Sequence, residues 1–381
     1  MKWLAALVVL GLLAAGPVAV DAADKRGKDD EKVWKSDDLN LLAVGMSIGD
    51  VTGSGRNDIV VIDPNTVYLY KVDGKRLELL SEFQRSAMEF KSVDVAKIRK
   101  QGPCRIYVTA QMRGSLASFV LEYRNGALTP AIENIPYYLR VITYPTKGPI
   151  LLCQSRGLNK IYDGPVHTME DKGDELKPGP RFGTPMKIPI FGFAIGDFEG
   201  KRRPMIAVYD RDDHLRIYEP SGKRLFVSRS FYGGSDVVLR RTGPESRKES
   251  DPTQEEAAKE YYRPRLLSLD LNHSGTYQIV AIANESKTMR FLTRTKMLGE
   301  GQIKGLIWNG DALEERWATP KVQGTVTDFA VETLPGFASP RLITLERKQT
   351  DWLAFLKSIS QIRAYDLRSL MERGVQPEGE P

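Results

Sequence analysis

Apolar positions along this chain come in short runs, some continuous and some alternating, each bounded by turns rich in Gly, Asn, Asp or Pro. Continuous runs mark strands buried on both faces, and alternating runs mark strands with one solvent face. Two stretches repeat the same order closely enough to define a unit. The first, SIGDVTGSGRNDIVVIDPNTVYLYKVDGKRLELLSE, begins at Ser47, and the second, AIGDFEGKRRPMIAVYDRDDHLRIYEPSGKRLFVSR, begins at Ala194. Ile48-Gly49-Asp50 aligns with Ile195-Gly196-Asp197, and Gly74-Lys75-Arg76-Leu77 with Gly222-Lys223-Arg224-Leu225, one inserted residue separating the two registers. The pattern predicts four strands per unit. A first strand ends at an acidic residue, and a polar turn follows. A continuous apolar run comes next (Ile59 to Ile62, Ile206 to Tyr209), then an alternating strand (Val67 to Tyr70, Leu215 to Tyr218), and a Gly turn leads into the fourth.

The same order recurs with decay at Ser92 to Asp94, Val141 to Thr143, Leu266 to Asp270 and Phe329 to Glu332, each followed by an apolar run. Asn125-Gly126 and Asn309-Gly310 are strong hairpin signals within it. Units this small cannot bury their own faces, and four-stranded sheets stacked radially are the propeller solution. The chain is therefore predicted to be all-β, a β-propeller of four-stranded blades. Six blades are favoured and seven is the alternative, because the interval from Asp197 to Asp270 is long. Thr242 to Tyr261, rich in Ser, Glu, Lys and Pro, reads as an exposed loop that accounts for the extra length.

The two ends of the pattern predict how the ring closes. The last unit has no fourth strand after Tyr365, while Lys32-Val33-Trp34-Lys35-Ser36 resembles the fourth strand Glu315-Arg316-Trp317-Ala318-Thr319 of the preceding unit. The N-terminal strand is expected to complete the last blade, which removes a sheet edge. Trp34, Trp308 and Trp317 fall on outer strands, where packing between blades is expected ahead of sugar stacking. Cys104 and Cys153 sit at different heights on equivalent strands, which argues against a disulfide.

Hydrophobic residues make up 41% of the 381 and charged residues 27%, enough apolar material for a large core or several small ones. Residues 1–23 have Lys2 as a basic start, an apolar stretch from Trp3 to Leu13, a Gly16-Pro17 break and small residues around Ala22. This is the pattern of a secretory signal peptide, with an uncleaved anchor as the rival reading. A polar segment, 24–31, then precedes the propeller at 32–368, and 369–381 reads as a flexible tail. The export signal places the protein in the periplasm or outside the cell. Net charge is +6, but the basic runs Lys201-Arg202-Arg203 and Arg240-Arg241 lack interleaved aromatics, so nucleic acid is not an expected partner.

With these units laid out, GDVTGSGRNDIVV resembles the FG-GAP/VCBS repeat, in which Gly-Asp leads through an Asp/Asn-rich, Gly-containing turn into an apolar strand; LDLNHSGTYQIVAIAN is similar. The resemblance covers about residues 32 to 368, and its best matches are the units at Asp50 and Asp270. It implies a β-propeller of the kind found in integrin α-subunit heads and exported bacterial proteins, with ligand or partner binding as the usual role. It also implies calcium in the turns. Carried over, the first unit supplies Asp50, Thr52, Ser54 and Asp58, and the unit from Asp270 supplies Asp270, Asn272, Ser274 and Gln278. The unit at Asp197 puts Lys201 in a ligand position. Calcium takes six to eight oxygens and prefers carboxylates, so the alternative is that these acids cap turn amides as Asx turns do.

Catalytic constellations are scarce. His167, His214 and His273 have no partner at ligand or triad spacing, and no phosphate-cradling or dinucleotide fingerprint is present. The expectation is a monomeric, exported binding or scaffolding module, not an enzyme, whose partner is a protein or a cell-envelope polymer. The alternative is a polysaccharide hydrolase or lyase working at the channel mouth, for which a pair of carboxylates in opposed environments is the requirement.

Overall fold

The computed structural model describes residues 33–74, 76–157, 160–184, 188–241, 259–286, 298–348 and 359–374. Residues 1–32, most of the 242–261 loop and 375–381, for which the sequence predicts chiefly a leader, an exposed loop and a tail, lie outside them. Antiparallel strands follow one another in sequence order as blades, counted here among the described residues. Blade I holds Gly45–Gly49, Asp58–Ile62, Thr66–Asp73 and Arg76–Gln84; blade II holds Glu89–Ala96, Arg105–Met112, Ser118–Arg124 and Ala127–Ile135. Blade III holds Tyr137–Tyr144, Gly148–Ser155, Asp163–Asp171 and Leu176–Arg181; blade IV holds Phe193–Gly196, Met205–Tyr209, His214–Tyr218 and Arg224–Phe231. Blade V holds Leu266–Leu269, Gln278–Ser286, Leu298–Trp308 and Leu313–Ala318. Blade VI holds Val322–Glu332, Arg341–Lys348 and Ser360–Asp366, with Trp34–Lys35 as its fourth strand. The protein is a six-bladed β-propeller.

The ring closes as the sequence pattern predicts. Trp34 pairs with Ala364 and Lys35 with Arg363, and the Ser36 amide donates to the Ile362 carbonyl at 2.9 Å. Trp317 occupies the same place in blade V, opposite Gly305. In both blades a large indole is received by a small residue on the third strand. The indoles are buried between blades, Trp34 against Phe337 with ring centroids 6.3 Å apart, and Trp317 donating from Nε1 to Gln278.

Each blade buries its faces against two neighbours, and the buried apolar residues accordingly fall into clusters that each straddle one blade boundary. Val60, Val93 and Val108 join blades I and II; Tyr107, Leu139 and Leu151 join II and III; Leu152, Phe193 and Ile206 join III and IV. Ala207, Ile279 and Trp308 join IV and V; Ile282, Trp317 and Phe329 join V and VI; Ile59, Val61 and Ile343 join VI back to I. At roughly 1.5–3 kcal/mol per large aliphatic side chain buried, no boundary is dispensable. The Gly of the Ile-Gly-Asp motif belongs to this packing. A Cβ on Gly49 would stand 2.7 Å from Val95 of the next blade, and one on Gly196 would stand 2.9 Å from Tyr277 of the next. Only glycine lets the inner strands come this close.

Three details differ from the sequence expectation. First, the opening strand of blade I, Gly45–Gly49, is as buried as the continuous run after it, because it lines the channel and faces two neighbouring blades. Second, Lys259–Tyr261, the end of the expected loop, is a strand paired with Val238–Arg240, held there because Leu239 is fully buried. Third, the expected tail begins as a helix, Leu367–Arg373, capped by the Asp366 side chain on the Ser369 amide. Leu367, Leu370 and Met371, at helical spacing, pack on the V–VI cluster. Cys104 and Cys153 are both free thiols, and burial pushes Cys153 up to about 12. No helix among the described residues is long and apolar enough to cross a membrane.

Candidate functional site

The two faces of the ring are built differently. One carries the turns between second and third strands, and the segment joining blades IV and V crosses it. Gly233 donates to the Ile282 carbonyl of blade V, Arg347 of blade VI pairs with Asp236, and Gln111 of blade II exchanges two hydrogen bonds with the Arg240 backbone. Tyr262 returns from this crossing to stack near Phe191, ring centroids 4.9 Å apart. The crossing thus ties blades II, V and VI together on this face.

On the axis below it lies a buried ion network. Arg265 donates from Nε to Asp328 at 2.7 Å and from Nη1 to Asp94 at 2.8 Å. Its Nη2 bonds the carbonyls of Met46 and Val93 at 3.2 and 3.1 Å. Asp94 also accepts from Arg140 Nη1 at 3.2 Å and from the Val141 amide at 2.8 Å, and Asp328 accepts the Met46 amide at 3.0 Å. Burial works against the Arg265 charge, but Asp328 and Asp94 outweigh it and hold the guanidinium well above its ordinary value. One residue thereby ties together blades I, II, V and VI, with Arg140 adding blade III. These charges serve the structure.

Beyond this floor a cavity of about 510 Å³ continues along the axis. Ile48, Val95, Ile142, Ile195, Leu267 and Val331 line it, so that every blade contributes at least one aliphatic side chain. Thr143, Pro149 and Glu332 also line it and are exposed, so it opens to solvent at the face bearing the turns between first and second strands. Glu332, beside Asn57 at this rim, has its carboxyl raised by desolvation from the surrounding protein, with the Asn57 hydrogen bond pulling the other way.

Those turns contain the residues singled out for calcium, and there the three aspartates accept amides from across their own turns. Asp50 Oδ2 accepts the Gly55 amide at 3.0 Å; Asp58 Oδ2 accepts the Val51 and Thr52 amides at 3.0 and 2.9 Å. Thr52 and Ser54 bond each other through their hydroxyls. Asp270 accepts the Ser274 and Gly275 amides at 3.0 and 2.9 Å, and Asn272 is exposed on the same turn. Asp50 Oδ1 alone is left buried without a partner, and no three His, Cys, Asp or Glu gather as metal ligands among the described residues. The open oxygens fall short of what calcium takes, so this donor set does not fit the ion.

The histidines stand apart. His167 and His214 bond backbone carbonyls through Nδ1, and His273 is exposed on its turn. What sequence reasoning missed is the axial network. Its signal was a charge inside an apolar inner strand, at Asp94, Arg140 and Asp328, a placement tolerated only where the charge is paired.

No family model matches this chain, and no curated protein does. Among solved structures it is similar to BBS1N in complex with ARL6DN, soaked with lead, at 12% identity and a TM-score of 0.45, covering 88% of this chain and 97% of that one. A second crystal of the same complex, soaked with mercury, gives 11% identity and a TM-score of 0.40 over 86% and 81%. A putative oxidoreductase (glucose dehydrogenase) from Thermus thermophilus gives 12% and 0.42 over 84% and 96%. No residue role is carried over from these proteins.

Proposed function

We propose that this protein is an exported binding module, built of divergent FG-GAP/VCBS repeats, that takes a protein partner or a cell-envelope polymer at the open channel mouth. The observation that carries this reading is the division of labour along the axis. The floor carboxylates are engaged by Arg140 and Arg265, whereas the cavity above them is walled by aliphatic side chains and open to solvent. A concave apolar site with a few polar groups at its rim is the usual form of a binding pocket. The hydrolase alternative needs a second carboxylate free to work with Glu332, and Asp94, the other acid lining the cavity, is held by two arginines and an amide.

Affinity purification from the cell envelope tests this, comparing the wild type with Thr143→Trp, which fills the mouth from an exposed position. The expected result is a companion recovered with the wild type and lost with the variant, at an unchanged unfolding midpoint. A companion retained equally by both, or turnover of an envelope polysaccharide without one, would overturn the reading.

A further inference from the structure

The turns that encircle the mouth are unevenly charged. Blade II contributes Lys97, Arg99 and Lys100, blade III Lys147, and blade IV Lys201, Arg202 and Arg203, whereas the turns of blades V and VI contain Asp270 and Glu332 and neither Lys nor Arg. Several of these charges are engaged locally: Arg99 pairs with Glu122, and Lys201 and Arg203 with Glu199. Lys97, Lys100, Lys147 and Arg202 are exposed and carry no ion pair among the described residues. Arg56, beside the rim residue Asn57, is likewise exposed. The acids facing them are engaged by amides: Asp197 by those of Lys201 and Arg202, Asp50 by that of Gly55. Counting Asp197 and Glu199 of blade IV and the exposed Asp174 and Glu175 of blade III against them, the arc over blades II to IV keeps a net positive charge beside an aliphatic hole.

Resting on the binding reading above, we propose that the mouth docks an acidic, extended polypeptide segment of a partner protein. Its carboxylates lie over the arc of blades II to IV, and one of its aliphatic side chains enters the channel. Charge complementarity selects the acidic residues and steers their approach, and the six aliphatic walls select the inserted side chain. A glycan fits poorly, because among the described residues Phe193 is the single aromatic ring lining the cavity and offers no stacking platform. A membrane fits poorly as well. Among the described residues, the exposed large apolar ones, Leu42, Leu79, Met112, Val227 and Phe231, all lie away from these turns, which leaves the described part of the face with charge and little to insert.

The test is fluorescence anisotropy with the mature protein and a labelled peptide of alternating Glu and Leu. Saturable binding is expected, weakening steeply with added salt. Replacing Glu by Gln in the peptide, Leu by Ser in the peptide, or Lys97 and Lys147 by Glu in the protein should each weaken it by about tenfold or more. Equal binding of the Gln or Ser peptide, indifference to salt, or binding to phosphatidylglycerol vesicles in place of the peptide would overturn the proposal. If no peptide binds while a Thr143→Trp-sensitive companion is recovered from the envelope, the acidic-segment proposal fails and the binding reading stands.

Discussion

Two sets of charges share the axis of this ring and behave as opposites because of their surroundings. On the floor, Arg140, Arg265, Asp94 and Asp328 are buried and hydrogen-bonded to one another and to the backbone of neighbouring blades. At the mouth, Lys97, Lys100, Lys147 and Arg202 are exposed and carry no ion pair among the described residues. Removing one member of the first set leaves a buried charge without its partner, and the second set can be altered while the fold stays intact. Stability rests on the first set and the proposed recognition on the second, the two stacked along one channel.

The largest effect expected is on the floor. Arg265→Met leaves Asp94 and Asp328 buried with Arg140 alone, and loss of one partner from a buried pair costs about 3–5 kcal/mol. Urea unfolding should show this as a large drop in the midpoint. Adding Asp328→Asn to the variant should recover part of it, and a single variant as stable as the wild type would dissolve the contrast. At the mouth the same measurement should read almost nothing: Lys97→Glu with Lys147→Glu is expected to stay within about 0.5 kcal/mol of the wild type, whatever it does to binding.

Why the floor escaped sequence reasoning while the ring did not is a matter of distance along the chain. The Ile-Gly-Asp turn and the apolar run after it are local patterns visible within one unit, and the Trp34/Trp317 likeness is a repeat of one short local pattern. The Arg140–Asp94, Arg265–Asp328 and Arg265–Asp94 contacts join residues 46, 63 and 171 positions apart. A periodic pattern reports which face a residue shares, and it is silent about which charge from another blade meets it on the axis. The turn acids are the converse case. Asp50, Asp58 and Asp270 stood out by resemblance, and their geometry is explained by the amides of their own turns.

Smaller effects sharpen the rim. The Glu332 carboxyl is held above its ordinary range chiefly by desolvation. Because the folded value exceeds the unfolded one, its contribution to stability is complete below the unfolded value and is lost as pH rises through the folded one. Glu332→Gln should remove that downward slope across the mildly acidic range and leave the neutral-pH midpoint equal or slightly higher. A slope identical to the wild type would mean that Glu332 titrates as it does in the unfolded chain. Smallest of all is the response to a chelator. With the turn carboxylates engaged by amides, the melting midpoint should not move, and a clear fall would make these turns calcium sites after all.

Every blade boundary in this account depends on the circle being shut by residues that come first in the chain and pair last in the ring. Hydrogen exchange at the amides of Ser36, Leu39 and Ile362, followed by mass spectrometry or NMR, reads that seam directly. Protection matching that of the Val60 and Val108 amides is the predicted result. Early exchange at the seam, with the blades still protected, would mean that the first strand stands free and the ring is open.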